Sequence, residues 1–324
     1  MSGPTVLVFR TCNKDLTSFG GFQWPESGPV ECPPPDPNKS GARWDPKPAC
    51  GNGLHGWLWG EGHSHLADWS QSAKWLVVEV LESDIVDLGG KVKFPKGNVV
   101  FCGSRWAAAN YIKENGGLNK RVIGAYTSVA DDCKAITGDK GMSMAGKGGY
   151  AISGWHGVAI TGSHGMAKTK GQGRSYAGVR GTAETGHHGT AQAGSHGTAQ
   201  AGSHGKAVVG DYGRAITQEY GTSIAGDYGI SQTGNDGTAT AGDYGTAAAG
   251  KGGTAAVGAY GTARVEDPGT AQAGEGGQII IQHVKGGRSR TLVGYVGEAG
   301  ILPDTPYRVV YGSFVAVTDS EKES

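Results

Sequence analysis

His55 follows Cys50 by five residues in the segment Cys-Gly-Asn-Gly-Leu-His, close enough for a thiol and an imidazole to meet as nucleophile and base. No neighbour supplies the third group that would orient such a base. A structural pair in a Trp-rich core is therefore the simpler reading. Further on, His156, His164, His188, His196 and His204 fall at multiples of eight residues from one another. Imidazoles in register could form a metal ladder, but no carboxylate keeps step with them, and exposed turn residues account for them as well. Asp211, Asp227 and Asp243 recur every sixteen residues. Stacked ~4.8 Å apart, such carboxylates would repel by about 1 kcal/mol even in water. Calcium would relieve the repulsion, yet the calcium-binding nonapeptide G-G-x-G-x-D is absent. Solvated side chains spreading outward are the expectation. Each Asp precedes a Tyr, and Tyr212, Tyr228, Tyr244 and Tyr260 would form one aromatic column. Such a column suits stacking, or contact with a protein or glycan partner.

A repeat positions all of these residues. Cys133 through Val284 divides into nineteen octads without an insertion. Position 1 is Gly in every octad after the first. Position 6 is Gly except at Lys170, Gln218, Glu266 and Gln282. Position 3 is Ala or Ser in all but the last octad, position 5 is small, and positions 2 and 4 vary. Small at 3 and 5 with freedom at 2 and 4 is the alternation of a strand with one buried face. Positions 6, 7, 8 and 1 form the turn, where Gly at 1 and 6 is expected to supply backbone angles that a Cβ would penalise.

A helix is excluded, because two Gly in every eight residues would cost roughly 2 kcal/mol per octad relative to Ala. Disorder would not require small residues at 3 and 5. Collagen needs Gly every third residue. A fixed short period over this length means a solenoid. The sixteen-residue recurrence of Asp-Tyr indicates two octads per coil and two sheets back to back, with a triangular coil of three octads as the alternative. Facing Ala and Ser leave a thin core, so the sheets must approach closer than the usual ~10 Å. Ala199→Leu at position 3 should overpack it at a cost of ~1–3 kcal/mol.

Composition agrees. Gly supplies 60 of 324 residues, more than twice the usual ~7%. Lys plus Arg and Asp plus Glu are both 29, which argues against a nucleic-acid coat or a polybasic membrane anchor. No apolar run is long enough for a membrane helix, and Met1–Arg10 reads as a first strand rather than a signal peptide. The cysteines are Cys12, Cys32, Cys50, Cys102 and Cys133. An odd number without C-x-x-C favours a reducing compartment over a disulfide framework. A cytoplasmic location is thus expected over a secreted one.

The flanks differ from the repeat. Residues 1–124 hold seven of the eight tryptophans and read as a small α+β domain. Strands are expected at Val6–Phe9, Trp75–Val80 and Asn98–Cys102, with a helix over Ser104–Glu114 capped by Ser104. A Pro-rich loop covers Pro25–Pro48, and Ala125–Asp132 looks like a divergent first octad. After Val284, Thr291–Val296 and Tyr307–Val317 read as strands that cap the open solenoid edge. The tail Asp319–Ser324 is polar and expected to fray. The expected class is mainly β: a Gly/Ala-rich β-solenoid over 125–284, an α+β N-terminal domain over 1–124, and a C-terminal β cap and tail over 285–324.

The GTAxAG octads behind the segment CGNGLHGW, with the closing GEAGILPDTPYRVVYGSFVAV, resemble phage and bacterial proteins in which an uncharacterised N-terminal domain precedes a Gly-Thr-Ala repeat. That resemblance implies a phage or prophage setting, with a virion-associated location beside the cytoplasmic one, and a structural rod that presents a repetitive surface to a partner, with self-association open. A local resemblance joins Gly51-Asn52-Gly53-Leu54-His55, Ser64–Trp69 and the strand Trp75–Val80 to ADP-ribosyltransferases. It implies an NAD site in which Arg10 and His55 act, although no Glu-x-Glu pair is found at Glu79 and Glu82. The ranks Thr190, Thr222, Thr238, Thr254, Thr270 and Thr182, Thr198, Thr246, Thr262 resemble those of ice-binding solenoids. Those proteins usually carry Thr-x-Thr, which occurs here only at Thr238–Thr240. The preferred reading is a noncatalytic rod without a cofactor or metal, binding a partner through Tyr212, Tyr228, Tyr244, Tyr260, Thr222, Thr238 and Thr254.

Overall fold

The computed structural model describes residues 3–32 and 44–317. Part of the Pro-rich segment and the tail 319–324 lie outside the described residues. The chain divides into two compact units, residues 1–127 with 136–142, and residues 128–135 with 143–324.

The first unit is built on a seven-stranded sheet. Its strands are β1 (Thr5–Cys12), β2 (Gly28–Glu31), β3 (Leu54–Leu58), β4 (Lys74–Leu81), β5 (Val86–Asp87), β6 (Val92–Phe94) and β7 (Lys96–Gly103). They lie in the order β2-β7-β4-β1-β3-β6-β5, with antiparallel pairing throughout. The expected strands fall within β1, β4 and β7. The other four are short and carry little apolar pattern. Both faces of the central strands are covered, which is why β4 reads as an unbroken apolar run, Trp75–Val78, rather than an alternation. Leu7, Phe9, Trp75 and Val77 pack under the helix α1 (Arg105–Ile112) through Ala108, Ala109 and Ile112. Val8, Leu76, Val78 and Val80 form the opposite core with Trp24 and Phe94. Ser104 caps α1, its Oγ accepting the Ala107 N–H at 3.4 Å.

The second unit is a two-sheet β-solenoid. Strands of one sheet pair in parallel at intervals of sixteen, as in Thr222↔Thr238↔Thr254↔Thr270. The other sheet does the same, as in Thr182↔Thr198↔Arg214. This register selects two octads per coil and rules out three. The long sheet has twelve strands, ending in cap strands Tyr307–Val310 and Ser313–Ala316. The short sheet has eleven and ends in the cap strand Arg288–Tyr295.

Position 3 is fully buried throughout the described coils, from Ala135 and Ala151 to Ala271 and Ile279. The two sheets are close enough for Ser223 Oγ and Ser231 Oγ, both at position 3, to bond across the core at 2.7 Å. Buried hydroxyls are matched elsewhere too, Ser143 with Ser153 at 2.8 Å and Thr217 with Thr233 at 3.0 Å. This satisfies polar groups that would otherwise be costly inside. Toward the C-terminal end the core fills with Val257, Val265, Ile279, Ile281 and Ile301. There the strand direction reverses: Gln278–Lys285 pairs antiparallel with Arg288–Tyr295, and Ala271 with Tyr307.

The turns differ from expectation in one respect. The positive φ belongs to position 8, at 54° for His188, 57° for Tyr212 and 56° for Tyr228. The N–H of position 1 donates to the carbonyl of position 6, for example Gly229 to Gly226 at 3.1 Å. A positive φ at the third residue is the type II pattern. The glycines at 1 and 6 serve close approach instead. A Cβ on Gly229 would lie 2.7 Å from Ala225 Cβ, and one on Gly226 would strike the Asp211 carboxylate. Coil-to-coil contact at the corner leaves no room for a side chain.

Candidate functional site

The surface features of the solenoid follow from that turn. Position 8 points outward from each corner, and successive corners bring these side chains face to face. Tyr212, Tyr228, Tyr244 and Tyr260 stack with ring centroids 4.9–5.1 Å apart and planes within 14°. His196 continues the stack, 5.0 Å above Tyr212. The opposite corner carries a second stack, His188 on His204 at 4.9 Å and His204 on Tyr220 at 4.9 Å. His188, His196 and His204 are thus members of mixed aromatic ladders, and among the described residues no three His, Cys, Asp or Glu side chains come together as a metal site. Each ladder shows ring edges to solvent, with the four tyrosines about half exposed. Crowding by Tyr212, Tyr244, Asp227 and Asp243 adds to desolvation in raising the Tyr228 hydroxyl above its ordinary value.

The aspartates at position 7 are not simply splayed into water, as the sequence suggested. Asp211 Oδ1 accepts the Asp227 N–H at 3.0 Å, Asp227 Oδ1 the Asp243 N–H at 2.9 Å, and Asp243 Oδ1 the Ala259 N–H at 2.8 Å. Asn235 does the same for Lys251 at 3.0 Å. Each side chain satisfies an amide of the next coil that the ladder leaves open. A charge-assisted bond of this kind outweighs the like-charge repulsion at one coil's distance. The signal was present in the sequence as the sixteen-residue recurrence of Asp or Asn after Gly at position 6.

Thr222, Thr238, Thr254 and Thr270 stand in one register column on the outer face of the long sheet. Thr238 and Thr254 are exposed and Thr222 and Thr270 half-buried. The second outward column beside them is mixed: Ile224, Thr240, Ala256 and Gln272. On the short sheet Arg214 and Ile230 separate Thr198 from Thr246. The long sheet therefore carries the continuous hydroxyl rank.

In the first unit, Arg10 and His55 meet through the backbone. Arg10 Nη1 donates to the His55 carbonyl at 2.6 Å, and its guanidinium lies 4.6 Å from the Trp24 ring centroid. Burial lowers the Arg10 pKa from its ordinary value. The imidazole is pushed down to about 4, first by burial and then by Lys91, Arg10 and Lys93. His55 Nε2 and Arg10 Nε are buried without a hydrogen-bond partner among the described residues. Across the strand pair from His55, Lys93 is buried and its ammonium donates to the Ala49 carbonyl at 2.9 Å. Cys50 is exposed and no hydrogen bond joins it to His55 among the described residues. Among the described residues the arrangement is three basic groups without a carboxylate partner; Arg10 and Lys93 are held by carbonyls and aromatic rings.

Comparison with known proteins adds to this geometry. Residues 6–113 match a domain of unknown function, DUF7666. Over 117 residues the chain is 39% identical to an ice nucleation protein of Pseudomonas fluorescens, a match covering 36% of this chain and 9% of the relative. It is 36% identical over 112 residues to an ice nucleation protein of Xanthomonas campestris pv. translucens, 34% of this chain and 7% of the relative. It is 37% identical over 114 residues to an ice nucleation protein of Pseudomonas syringae, 35% of this chain and 9% of the relative. The matched stretch thus spans less than a tenth of these relatives' length. No solved structure matches. These relatives lend no support to the phage setting or to the ADP-ribosyltransferase resemblance. Over about a third of its length, then, the chain is similar to ice nucleation proteins, and its N-terminal region matches a domain whose function is unknown.

Proposed function

We propose that the protein is a noncatalytic β-solenoid whose long-sheet face orders a repetitive surface, ordered water or ice foremost. The observation that carries this reading is the in-register rank Thr222-Thr238-Thr254-Thr270 on a parallel sheet. Hydroxyls at a fixed coil step on a two-sheet frame with a close-packed core form an array that thermal motion blurs little. The similarity to proteins named for ice nucleation supports the same reading. Four hydroxyls at three coil steps span about 14 Å, so the ordered patch is small and its effect on freezing is correspondingly modest. The tyrosine edge Tyr212–Tyr260 is the second element of the presented surface, where a protein partner or another copy would contact stacked ring edges. No cofactor enters this reading.

Droplet freezing and thermal hysteresis of the purified full chain test it, with Thr238→Tyr/Thr254→Tyr alongside. Both positions are exposed, so the double variant keeps the fold. The expected result is freezing displaced from the buffer value by the parent protein and returned toward it by the variant. Buffer-level behaviour of the parent, or an unchanged effect in the variant, would overturn the proposal.

A further inference from the structure

The two corners of each coil are not alike. Where the chain leaves the long sheet, position 6 is Gly from Gly146 to Gly274. Where it leaves the short sheet, position 6 also accepts Lys170, Gln218, Glu266 and Gln282. Most short-sheet strands stop at position 4, as in Thr198–Gln200 and Arg214–Ile216. Position 5 is buried there, at Thr185, Ala201, Thr217 and Thr233, while position 7 is half-buried to exposed. The result is a furrow running across successive strands along the solenoid axis. Two cavities occupy it, of about 310 Å³ and 630 Å³, and Gln218 lines both. Glu184, Gln200 and Gln218 line the first, and Ser203, Gln218, Glu219 and Gln232 the second. The floor is Thr and Gly: Thr185 with Gly186, then Thr217, Thr233 and Gly234.

The lining side chains are already held. Ser203 Oγ donates to Gln218 Oε1 at 3.2 Å, Arg214 Nη2 to Gln232 Oε1 at 3.2 Å, and Lys168 pairs with Glu184 at 2.6 Å. An amide held by its oxygen leaves its NH2 free to donate into the groove, while Glu219 offers acceptors. Amide or carboxylate groups thus recur along the furrow, about one per coil step of ~4.8 Å.

We propose that this furrow binds an extended neutral polysaccharide laid along the solenoid axis. The chemistry selects among polymers. A peptide strand advances ~3.3 Å per residue and cannot keep step with the coils, and the furrow crosses the strands rather than following a sheet edge. A single-stranded nucleic acid needs a basic channel, whereas the two cavities carry one lysine against two glutamates. An extended pyranose chain advances by nearly one coil per sugar and offers hydroxyls that both donate and accept, matching Gln, Glu and Ser in turn. The floor of Thr and Gly leaves room for the ring body.

Affinity electrophoresis of the full chain tests this, in native gels containing amylose, hydroxyethyl cellulose, glucomannan or dextran. Gln218→Ala/Gln232→Ala removes polar groups from the furrow, and Gln200→Trp fills it. Gln192→Ala/Gln272→Ala on the outer face of the long sheet is the control, and circular dichroism melts verify the fold of each variant. The expected result is retardation by at least one polymer, weakened at least tenfold in both furrow variants and unchanged in the control, since each lost neutral hydrogen bond costs several-fold in affinity. Retardation by none of the polymers, or retardation that survives both furrow variants, would overturn the proposal. The furrow lies on the short sheet and the threonine rank on the long one, so this outcome and the freezing result are independent.

Discussion

The contact across the core predicts that two neighbouring alanines respond oppositely to the same substitution. Ala239 occupies position 3 and Ala241 position 5 of one long-sheet strand, and both are buried. One coil earlier, position 3 of the two sheets meets as Ser223 and Ser231 at 2.7 Å between Oγ atoms. Ala239 faces Ala247 in the same register, so two added methyl groups there have nowhere to go. Position 5 already holds valine in the same column, at Val209 and Val257, each nearly buried. Two extra carbons buried without strain are worth about 1.6 kcal/mol, less roughly 0.5 kcal/mol of side-chain entropy. Ala241→Val should therefore stabilise the solenoid by about 1 kcal/mol. Ala239→Val should destabilise it by ~1–3 kcal/mol through overpacking. Urea denaturation followed by far-UV circular dichroism should place the two midpoints on opposite sides of the parent, with the slope unchanged. Equal shifts, or a gain from Ala239→Val, would refute the thin-core argument.

Two further outcomes follow from the site geometry. His55 has a folded pKa of about 4 against 6.5 when free. Between those values the unfolded chain binds a proton that the folded one does not, so the first unit should lose stability as pH falls from 6.5 toward 4. Tryptophan fluorescence melts should show that slope, and His55→Gln should flatten it; an unaltered slope would remove His55 as its source. At the corner, Asp227→Asn keeps the acceptor for the Asp243 N–H and relieves repulsion by Asp211 and Asp243, as Asn235 already does for Lys251. It should leave the melting temperature unchanged or raised at low salt, whereas Asp227→Ala should lower it. Equal losses in both variants would mean that the carboxylate charge, not the acceptor, holds the corner.

Much of the solenoid was legible because its information is periodic. Small residues at 3 and 5 announced the buried face, and the sixteen-residue return of Asp-Tyr announced the coil that Thr222↔Thr238 confirms. The corner was legible only in outline. From His188 to Tyr228 its left-handed residue is His or Tyr rather than the glycine that backbone freedom alone would select, because stacking between coils acts on the same position. The glycines answer to the neighbouring coil, a distance that no single octad encodes. The bond from Asp211 to the Asp227 amide is equally non-local. In the first unit β1, β4 and β7 were readable as apolar runs. The short strands β2, β5 and β6 contribute two to four residues each and lie below the length at which a pattern can be read. The Arg10–His55 contact was visible only as two residue types in a resemblance; its form, side chain to backbone carbonyl, came from the sheet.

The reversal of strand direction at the C-terminal end acts as punctuation. A parallel coil offers its successor the same donors and acceptors it received, so stacking contains no internal reason to stop. The antiparallel strands Arg288–Tyr295 and Tyr307–Val310 break that grammar, since a further parallel coil would meet hydrogen-bonding groups in the wrong sequence. Counting is thereby separated from ending. Duplicating residues 229–244 would add one coil, one more threonine to the rank of Thr238 and one more corner tyrosine beside Tyr244. The contacts of the terminator stay as they were, which makes the number of coils a variable that inheritance can adjust in whole steps.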